Sequence, residues 1–357
     1  MIFGFYGYEN TGDELILQGM IECLRTRLPK AEITVLSANP EQTAARYKVR
    51  SVYAGRRFQG LSVVWKALAK TDLFILGGGG LLQDRERRIL PFWFSRVWMA
   101  SVLGVRIMFY GLGAGPVTTN LGKRQLQYFG NRADLITVRD EMSYQTLIEA
   151  GVRKTPIHIT ADPALSLRED GRANKDGRDQ AVMVVCPRYW PGWERKRGAL
   201  ASALASWLDQ TKGQVVFLPL QGEEDQKAGR QIQSRMNHMK GEVVVASPNP
   251  PRQVLMQLKK ADMVISMRLH GLIGASLYRV PWVGIAYDPK VSEYAQRVDM
   301  GDQVTALDDI DRDKLDSLLL ASWEKREELA RKLEQKVPGL AQKADENADY
   351  ACALLKR

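Results

Sequence analysis

The run Ser266-Met267-Arg268-Leu269-His270-Gly271 carries the strongest chemical signal in this chain of 357 residues. It overlaps the end of an apolar strand pattern, so Arg268 and His270 lie just past the carboxyl end of a predicted strand. Ligands of open α/β sheets bind at this end of the strands. Arginine supplies a permanent planar cation, and histidine exchanges a proton near neutral pH. The alternative is structural, with an ion pair for Arg268 and a helix cap for His270.

Other basic residues follow strand patterns in the same way. Lys290 lies past another strand tip, and Arg188 follows the first strand of the C-terminal half. Parallel strands bring their carboxyl ends to one edge, so Lys290 is expected beside Arg268 and His270, with a helix N-terminus behind them. The set predicts a site for a compact anion with several charges.

Arg139 ends a strand pattern in the N-terminal half and is a fourth cation of interest. Asp140 and Glu141 follow it, so a local ion pair is the alternative to a ligand contact. The two remaining histidines lack such a setting: His158 is predicted to be a core residue of a strand, and His238 is predicted to lie on the surface.

The first strand-to-helix turn reads Gly7-Tyr8-Glu9-Asn10-Thr11-Gly12-Asp13-Glu14. Its glycines let the backbone pass close to a ligand, while Asn10 and Asp13 offer hydrogen-bonding groups. The alternative is an ordinary N-cap, with acidic residues at the positive end of the helix. The turn lacks the Gly-x-Gly-x-x-Gly fingerprint and the chain lacks a Walker motif, which disfavours an NAD enzyme or a P-loop ATPase.

Two glycine-rich runs follow buried strand patterns, at 77–80 and 111–115. Consecutive glycines carry a cost in chain entropy, so they indicate close approach to a ligand or a loop that must flex. The alternative is a tight crossover turn. Small open loops, with Asn10, Asp13 and Gln83 as polar groups, favour an uncharged, hydroxyl-rich substrate such as a sugar.

The elements that would position these residues alternate along the chain, which predicts repeated βα units and parallel sheets. The predicted strands are 2–7, 32–37, 73–76, 106–110, 135–139, 157–160, 181–187, 214–219, 242–246, 263–267 and 282–286. The predicted helices include 13–28, 91–103, 195–210, 225–236, 251–260 and 272–278. The helix 91–103 is apolar and aromatic, and it either packs on the sheet or touches lipid or substrate.

The expected architecture is α/β, with two Rossmann-like domains that face each other across a cleft. The polar segment 168–180 (REDGRANKDGRDQ) is the predicted linker. It separates an N-terminal domain, 1–167, from a C-terminal domain, 181–310. A charged helical tail, 311–357, is expected to break at Pro338-Gly339.

Composition narrows the class of protein. The net charge of +10 favours acidic partners such as phosphorylated small molecules or an anionic membrane surface, and no nucleic-acid motif is present. The three cysteines are scattered without metal or disulfide spacing, which fits a reducing cytoplasm. No apolar run is long enough to span a membrane, and the N-terminus has no signal-peptide pattern.

Four motifs together resemble the polysaccharide pyruvyl transferase family, over the stretch from Met1 to about Val304. They are Ser266–Gly271, Tyr287-Asp288-Pro289-Lys290-Val291, Asn10-Thr11-Gly12-Asp13-Glu14 and the glycines at 77–80. The combination of Arg-Leu-His-Gly with Asp-Pro-Lys about twenty residues later is the specific part. Within the family, the chain most resembles bacterial enzymes of secondary cell-wall polymer synthesis.

The resemblance implies a GT-B-like fold and transfer of pyruvate from phosphoenolpyruvate to two hydroxyls of one sugar, which releases phosphate. The implied product is a 4,6-ketal on N-acetylmannosamine in a lipid-diphosphate-linked oligosaccharide. The implied donor-binding residues are Arg139, Arg268, Leu269, His270 and Lys290. The residues predicted to bind the acceptor, from the open loops of the N-terminal half, are Asn10, Thr11, Asp13, Gly79, Gly80 and Gln83.

In this reading His270 is the general acid or steadies the phosphate, and Asp13 is the base or binds the acceptor. No metal or cofactor is required, because the protein supplies the cations. A lipid-linked acceptor would place the enzyme in the cytoplasm, with peripheral contact at the inner face of the membrane. The alternatives are a GT-B nucleotide-sugar glycosyltransferase, or a carbohydrate- or phosphate-binding protein without catalysis.

Overall fold

The computed structural model describes residues 1–54, 60–167, 180–236 and 241–356. These residues fall into two compact units. Unit 1 comprises Met1–Leu167 with Leu340–Arg357, and unit 2 comprises Arg168–Gly339. His238 and the predicted linker 168–180, apart from Gln180, lie outside the described residues.

Unit 1 is built on a seven-stranded sheet in the order β3-β2-β1-β4-β5-β6-β7, and its pairs are parallel. The strands are β1 (Ile2–Phe3), β2 (Thr34–Ser37), β3 (Arg50–Tyr53), β4 (Leu73–Leu82), β5 (Arg106–Ala114), β6 (Leu135–Val138) and β7 (Ile157–Ile159). The helices are α1 (Thr11–Arg27), α2 (Pro40–Tyr47), α3 (Leu61–Leu68), α4 (Ile89–Val102), α5 (Asn120–Gly130) and α6 (Glu141–Glu149).

Unit 2 has a six-stranded parallel sheet in the order β10-β9-β8-β11-β12-β13. The strands are β8 (Val182–Cys186), β9 (Gln214–Phe217), β10 (Glu242–Val245), β11 (Met263–Ser266), β12 (Trp282–Ala286) and β13 (Val304–Ala306). The helices are α7 (Trp193–Thr211), α8 (Gly222–Gln233), α9 (Pro251–Lys260), α10 (Leu269–Leu277), α11 (Pro289–Arg297) and α12 (Arg312–Glu324). The last helix, α13 (Arg326–Lys356), belongs to unit 2 up to Gly339 and to unit 1 from Leu340.

Both sheets have the Rossmann order, in which the first strand is central and the chain reverses direction beside it. The strand order switches between β1 and β4 in unit 1, and between β8 and β11 in unit 2. Ligands of such sheets bind outside the carboxyl ends of the strands at the switch point. Ligand sites are therefore expected at the turns after β1 and β4, and at those after β8 and β11.

The predicted strands are present, whereas two edge strands escaped prediction. β3 is largely exposed, and β13 has only three residues, so neither shows a clear apolar pattern. The predicted first strand, 2–7, shortens to Ile2–Phe3, because the chain turns where the Tyr6 N–H donates to the Gly4 carbonyl.

The glycine run 77–80 was predicted to follow a strand, and this is wrong. β4 continues through the glycines to Leu82, and β5 likewise continues to Ala114. Gly77 pairs with Tyr110 and Gly79 with Leu112, with a register shift between Gly79 and Leu82. Glycine tolerates the positive φ angles required at 78 and 79, so the strands can bend without ending.

The predicted break at Pro338-Gly339 is also wrong, since α13 runs through Pro338 without interruption. Proline removes one helical hydrogen bond, but buried side chains on both sides hold the adjoining turns. These include Leu333 and Val337 before the proline, and Leu340 and Ala344 after it.

Candidate active site

Cationic side chains gather at the carboxyl edge of the sheet in unit 2. Arg188 follows β8, Arg268 follows β11 and Lys290 follows β12, and these three strands are neighbours. His270 lies in the first turn of α10 and is partly exposed. We call Arg188, Arg268, His270 and Lys290 the basic cluster.

Arg268 is held in one orientation by an acceptor pair on the loop and helix after β9. Its Nε donates to Asp225 Oδ2 at 3.0 Å, and Nη2 donates to the other oxygen of the same carboxylate. Nη1 donates to Gln221 Oε1 at 2.7 Å. Asp225 is fully buried and also accepts from the backbone N–H of Gln221 at 2.9 Å. The ion pair foreseen as the structural alternative for Arg268 is thus present.

The turn before α10 explains why serine and glycine flank Arg268. Ser266 Oγ accepts from the Arg268 N–H at 2.9 Å and donates to the Arg268 carbonyl at 2.7 Å. A Cβ atom at position 271 would lie 2.3 Å from Ser266 Oγ, so only glycine fits there. The N-cap position of α10 is Arg268, and the buried Leu269 begins the helix. His270 is therefore inside the helix rather than at its cap.

Arg188 is positioned by aromatic rings. Its Nη1 donates to Tyr287 Oη at 2.8 Å, and its guanidinium lies over the rings of Tyr287 and Trp190 at 4.8 and 5.3 Å. Burial lowers the pKa of Arg188, and the positive charge of Arg268 lowers it further. Two arginines thus repel each other at this edge, which favours a bound anion.

Lys290 shares Tyr287 with Arg188. Its Nζ lies 5.2 Å from the centre of the Tyr287 ring and 3.9 Å from Asp288 Oδ2. Asp288 is the N-cap of α11 and accepts from the Lys290 N–H at 3.2 Å. The Tyr-Asp-Pro-Lys motif therefore places a cation and a helix N-terminus beside the same aromatic ring.

Cys186 ends β8 close to this site, yet its thiol is unsuited to nucleophilic catalysis. Burial raises the pKa of Cys186 to about 12. The thiolate is the reactive form of cysteine, and it is scarce at neutral pH when the pKa is this high.

Arg139 lies in unit 1 and is buried between two carboxylates. Nε donates to Asp140 Oδ2 at 3.1 Å, and Nη1 donates to Asp162 Oδ2 at 3.2 Å. Burial lowers the pKa of Arg139, but the two carboxylates outweigh burial and hold the pKa above its usual value. A Cβ at Gly113 would lie 2.8 Å from Arg139 Nη2. The local Asp140 pair is present, and a donor contact for Arg139 stays a prediction.

In unit 1, the first turn of α1 lies beside the glycine run of β4. Asn10 is the N-cap of α1, and its Oδ1 accepts from the Gly12 N–H at 3.0 Å. Asp13 is partly exposed in the first turn, and a Cβ at Gly79 would lie 2.6 Å from its Oδ1. A Cβ at Gly80 would meet nothing within 4 Å, so this stretch is open.

The remaining residues of this set have local roles. Thr11 is buried at the start of α1. Gln83 is partly exposed, and its Oε1 accepts from the Arg85 N–H at 3.1 Å. The N-cap foreseen as the alternative for the first turn exists, and it uses Asn10, which leaves Asp13 inside the helix.

Glu14 is a positioning residue that the sequence reading missed. It is 2% exposed, accepts from the Gly7 N–H at 2.8 Å and from Tyr47 Oη, and pairs with Arg46 at 3.3 Å. It ties the start of α1 to the turn before it and to α2. The available sequence signal was the second acidic residue next to Asp13, directly before the apolar run Leu15-Ile16-Leu17.

Comparison with family models then identifies the chain. The model described as polysaccharide pyruvyl transferase matches residues 10–289, a range that includes α1, the glycine run and three members of the basic cluster, Arg188, Arg268 and His270. The chain belongs to this family. It is therefore a member of a family of transferases, and the resemblance drawn from its motifs is confirmed.

Solved structures of low sequence identity share the fold of this pyruvyl transferase family member. The putative UDP-N-acetylglucosamine 2-epimerase of Listeria monocytogenes has a TM-score of 0.70 at 12% identity, covering 99% of this chain and 95% of its own. The MnaA–UDP structure of S. aureus has a TM-score of 0.63 at 12% identity, with coverage of 94% and 90%. HepE of Anabaena in complex with UDP has a TM-score of 0.59 at 16% identity, with coverage of 98% and 94%.

These likenesses confirm the predicted GT-B-like fold with two Rossmann-like units. Comparison with curated protein sequences gave no match. Among the described residues, no helix is long and apolar enough to cross a membrane. No cluster of three or more His, Cys, Asp or Glu side chains in the described ranges is arranged to hold a metal ion.

Proposed function

We propose that this family member transfers pyruvate from phosphoenolpyruvate to two hydroxyls of a sugar, and that the basic cluster of unit 2 binds the donor. The observation that carries the proposal is the placement of Arg188, Arg268 and Lys290 on three neighbouring strand ends. Phosphoenolpyruvate carries a carboxylate and a phosphate a few ångströms apart. Several cations at one edge, together with the N-termini of α10 and α11, suit such an anion.

Arg268 is prepared for this role by Asp225 and Gln221. The carboxylate of Asp225 fixes one edge of the guanidinium, so the remaining N–H groups have a defined direction. Asp225 offsets only one of the cations of the cluster. The surplus positive charge attracts the donor, and a planar fork held in place can bind a carboxylate or phosphate in two-point fashion.

The chemistry requires one proton delivered and two removed. The first sugar hydroxyl adds to C2 of the enol while its proton is removed, and C3 receives a proton to become a methyl group. Loss of phosphate leaves an oxocarbenium-like carbon, and the second hydroxyl closes the ketal as its proton leaves, with phosphate able to accept it. We assign proton delivery at C3, or support of the phosphate, to His270, and removal of a hydroxyl proton or acceptor binding to Asp13.

Acceptor recognition is assigned to unit 1. Asn10, Thr11 and Asp13 lie at the start of α1, and Gly79, Gly80 and Gln83 lie at the end of β4 or just after it. Their polar groups suit the hydroxyls of a sugar. We propose N-acetylmannosamine in a lipid-diphosphate-linked oligosaccharide as the acceptor and a 4,6-ketal as the product. The reaction then takes place on the cytoplasmic side of the membrane. Because the protein supplies the cations, the proposal requires no cofactor.

The test is acceptor-dependent release of inorganic phosphate from phosphoenolpyruvate. The acceptor is a lipid-linked N-acetylmannosaminyl disaccharide, and the product is checked by mass spectrometry for an added pyruvate ketal. A parallel reaction measures nucleotide release from UDP-sugars, since a nucleotide-sugar glycosyltransferase is the main alternative. Phosphate release with the ketal product supports the proposal, and nucleotide release without ketal formation overturns it.

A further inference from the structure

Helix α4 has an unusual outer surface. Its one charged residue, Arg96, is buried, and Nη2 of Arg96 donates to the Ala54 carbonyl at 2.7 Å. The solvent-facing stripe is made of Pro91, Ser95, Trp98 and Val102, in which Trp98 is 49% exposed and Val102 is 55% exposed. A surface helix of a globular protein normally carries charged and polar residues on this side.

The neighbouring helices extend this apolar surface. α3 and α5 pack on either side of α4, and Phe94 of α4 stacks on Phe129 of α5 with ring centres 4.5 Å apart. Nine large hydrophobic side chains are exposed among the described residues, and six of them lie on these three helices. We call these six the α3–α5 face: Val63, Trp65, Trp98, Val102, Leu121 and Tyr128.

The α3–α5 face lies within the most basic part of the chain. Residues 60–132 contain ten Lys and Arg against three Asp and Glu, an excess of seven positive charges. The net charge of the whole chain is +10. Arg85, Arg87 and Arg88 are exposed at the amino end of α4, and Lys123 and Arg124 are exposed on α5. The two basic groups adjoin, because the Asp84 carboxylate accepts from the Thr119 N–H, just before α5, at 2.7 Å.

We propose that the α3–α5 face docks on an anionic lipid surface. Trp98, Val102 and the other exposed apolar side chains would enter the headgroup region, while Arg85, Arg87 and Arg88 contact lipid phosphates. Exposed tryptophan and tyrosine with flanking arginine and lysine are the features of helices that lie in this interface. This inference stands apart from the proposed function, because none of its residues belongs to the basic cluster or to the residues assigned to acceptor binding.

A second copy of the chain is a poorer fit for the same face. A symmetric dimer through this face would bring together two surfaces with the same positive charge, and like charges at an interface are unfavourable. A lipid surface with negative headgroups removes this repulsion and also accepts the apolar stripe.

The experiment is co-sedimentation of the full chain with vesicles that contain no sugar acceptor. Mixed phosphatidylglycerol and phosphatidylcholine vesicles are compared with phosphatidylcholine alone, at low and high salt. The expected result is binding to the anionic vesicles that weakens as salt screens the charges. Arg87→Glu/Arg88→Glu should lower the partition coefficient by roughly tenfold or more, and Trp98→Ser/Val102→Ser should lower it several-fold.

Matched controls separate this face from the rest of the molecule. Lys336→Glu/Lys343→Glu makes the same charge change on exposed residues of α13, and Met256→Ser removes an exposed apolar side chain of α9. Both should bind vesicles nearly as the parent does. Trp98→Phe should keep binding but reduce the part of the tryptophan fluorescence that brominated lipids quench, with the remainder coming from Trp65 on the same face.

Several results would overturn the inference. They are absence of binding to anionic vesicles, equal loss in the control variants, and quenching that Trp98→Phe leaves unchanged. Sedimentation velocity on the same proteins tests self-association, and a dimer abolished by Trp98→Ser/Val102→Ser would assign the face to a second copy. Turnover on a water-soluble acceptor is expected to be unchanged in these variants, so failure of docking is distinct from failure of the proposed reaction.

Discussion

Arg268 shows how a structural role and a proposed ligand-binding role can fall on a single residue. Its ion pair with the buried Asp225 fixes the orientation of the guanidinium. The positive charges of Arg268 and Arg188 repel each other, so an anion bound at the carboxyl edge of this sheet would be stabilised. A buried ion pair contributes little to the net stability of a protein, but it fixes the orientation of the side chains that form it. The ion pair of Arg268 is therefore compatible with its proposed contact with a ligand.

His270→Gln tests the proton transfer proposed for the first turn of α10. Glutamine has similar size and can still donate a hydrogen bond, but it does not transfer a proton. Turnover should fall by roughly 10² to 10⁴, while the dissociation constant for phosphoenolpyruvate changes by only a few-fold. Steady-state kinetics together with calorimetric titration measure the two quantities. Turnover close to that of the parent would refute the assignment of His270 as the acid.

The residues of the basic cluster show which contacts a sequence can reveal. Arg268, His270 and Lys290 follow recognisable strand patterns, so their common edge could be predicted. Asp225 and Gln221 could not, since they lie more than forty positions from Arg268 and start an ordinary helix. A hydrogen-bond partner that only the tertiary fold brings close cannot be recognised from the local sequence. The same holds for Arg139, whose second carboxylate, Asp162, is supplied by a distant turn.

At the scale of elements, the glycines decide how close two pieces of backbone can come. Gly271 allows the first turn of α10 to approach Ser266, and Gly79 leaves space beside Asp13. The sequence indicated that these glycines were special, but it did not show that those at 77–80 remain inside a strand. Pairing with β5 keeps these glycines in the strand, although glycine has a low intrinsic preference for strands.

Gly271→Ala is expected to destabilise unit 2, although alanine is the better helix former. The new Cβ would lie 2.3 Å from Ser266 Oγ, and displacing that oxygen breaks the turn that aims Arg268. A loss of about 1–3 kcal/mol in the free energy of unfolding is expected from such overpacking. Thermal or denaturant unfolding provides the measurement.

Gly198→Ala is the control for that substitution. Gly198 is also helical, and a Cβ there would meet nothing within 4 Å. Alanine at 198 should therefore stabilise the protein by about 0.5–1 kcal/mol. The account of the α10 turn would be wrong if both variants shifted stability in the same direction.

At the scale of the whole molecule, the C-terminal helix returns to unit 1. Asn347 on α13 is fully buried and accepts at Oδ1 from Thr137 and Thr160, the latter at 2.8 Å. Its Nδ2 donates to the Ala161 carbonyl at 3.2 Å. Arg27 on α1 pairs with Asp349 on the same helix. The fold class was predictable from the alternation of elements, whereas the sequence left the role of the tail open, because a charged helix carries no record of its partner.

Asn347→Ala should therefore destabilise unit 1. The substitution removes three buried hydrogen bonds, two accepted from threonine hydroxyls and one donated to the Ala161 carbonyl, which costs about 2–4 kcal/mol in total. Lys343→Ala, on an exposed position of the same helix, should stay within about 0.5 kcal/mol of the parent. Differential scanning calorimetry resolves the difference. Equal stability of the two variants would mean that the tail does not support unit 1.

The central claim is that the basic cluster binds phosphoenolpyruvate, and calorimetric titration of the donor in the absence of acceptor tests it most directly. The parent protein should bind, and Arg268→Lys should raise the dissociation constant by roughly tenfold or more, because lysine keeps the charge but not the planar fork. Arg279→Lys, at a partly exposed residue of unit 2, should bind as the parent does. No binding by the folded parent protein, or equal binding by the Arg268→Lys variant, would contradict the account.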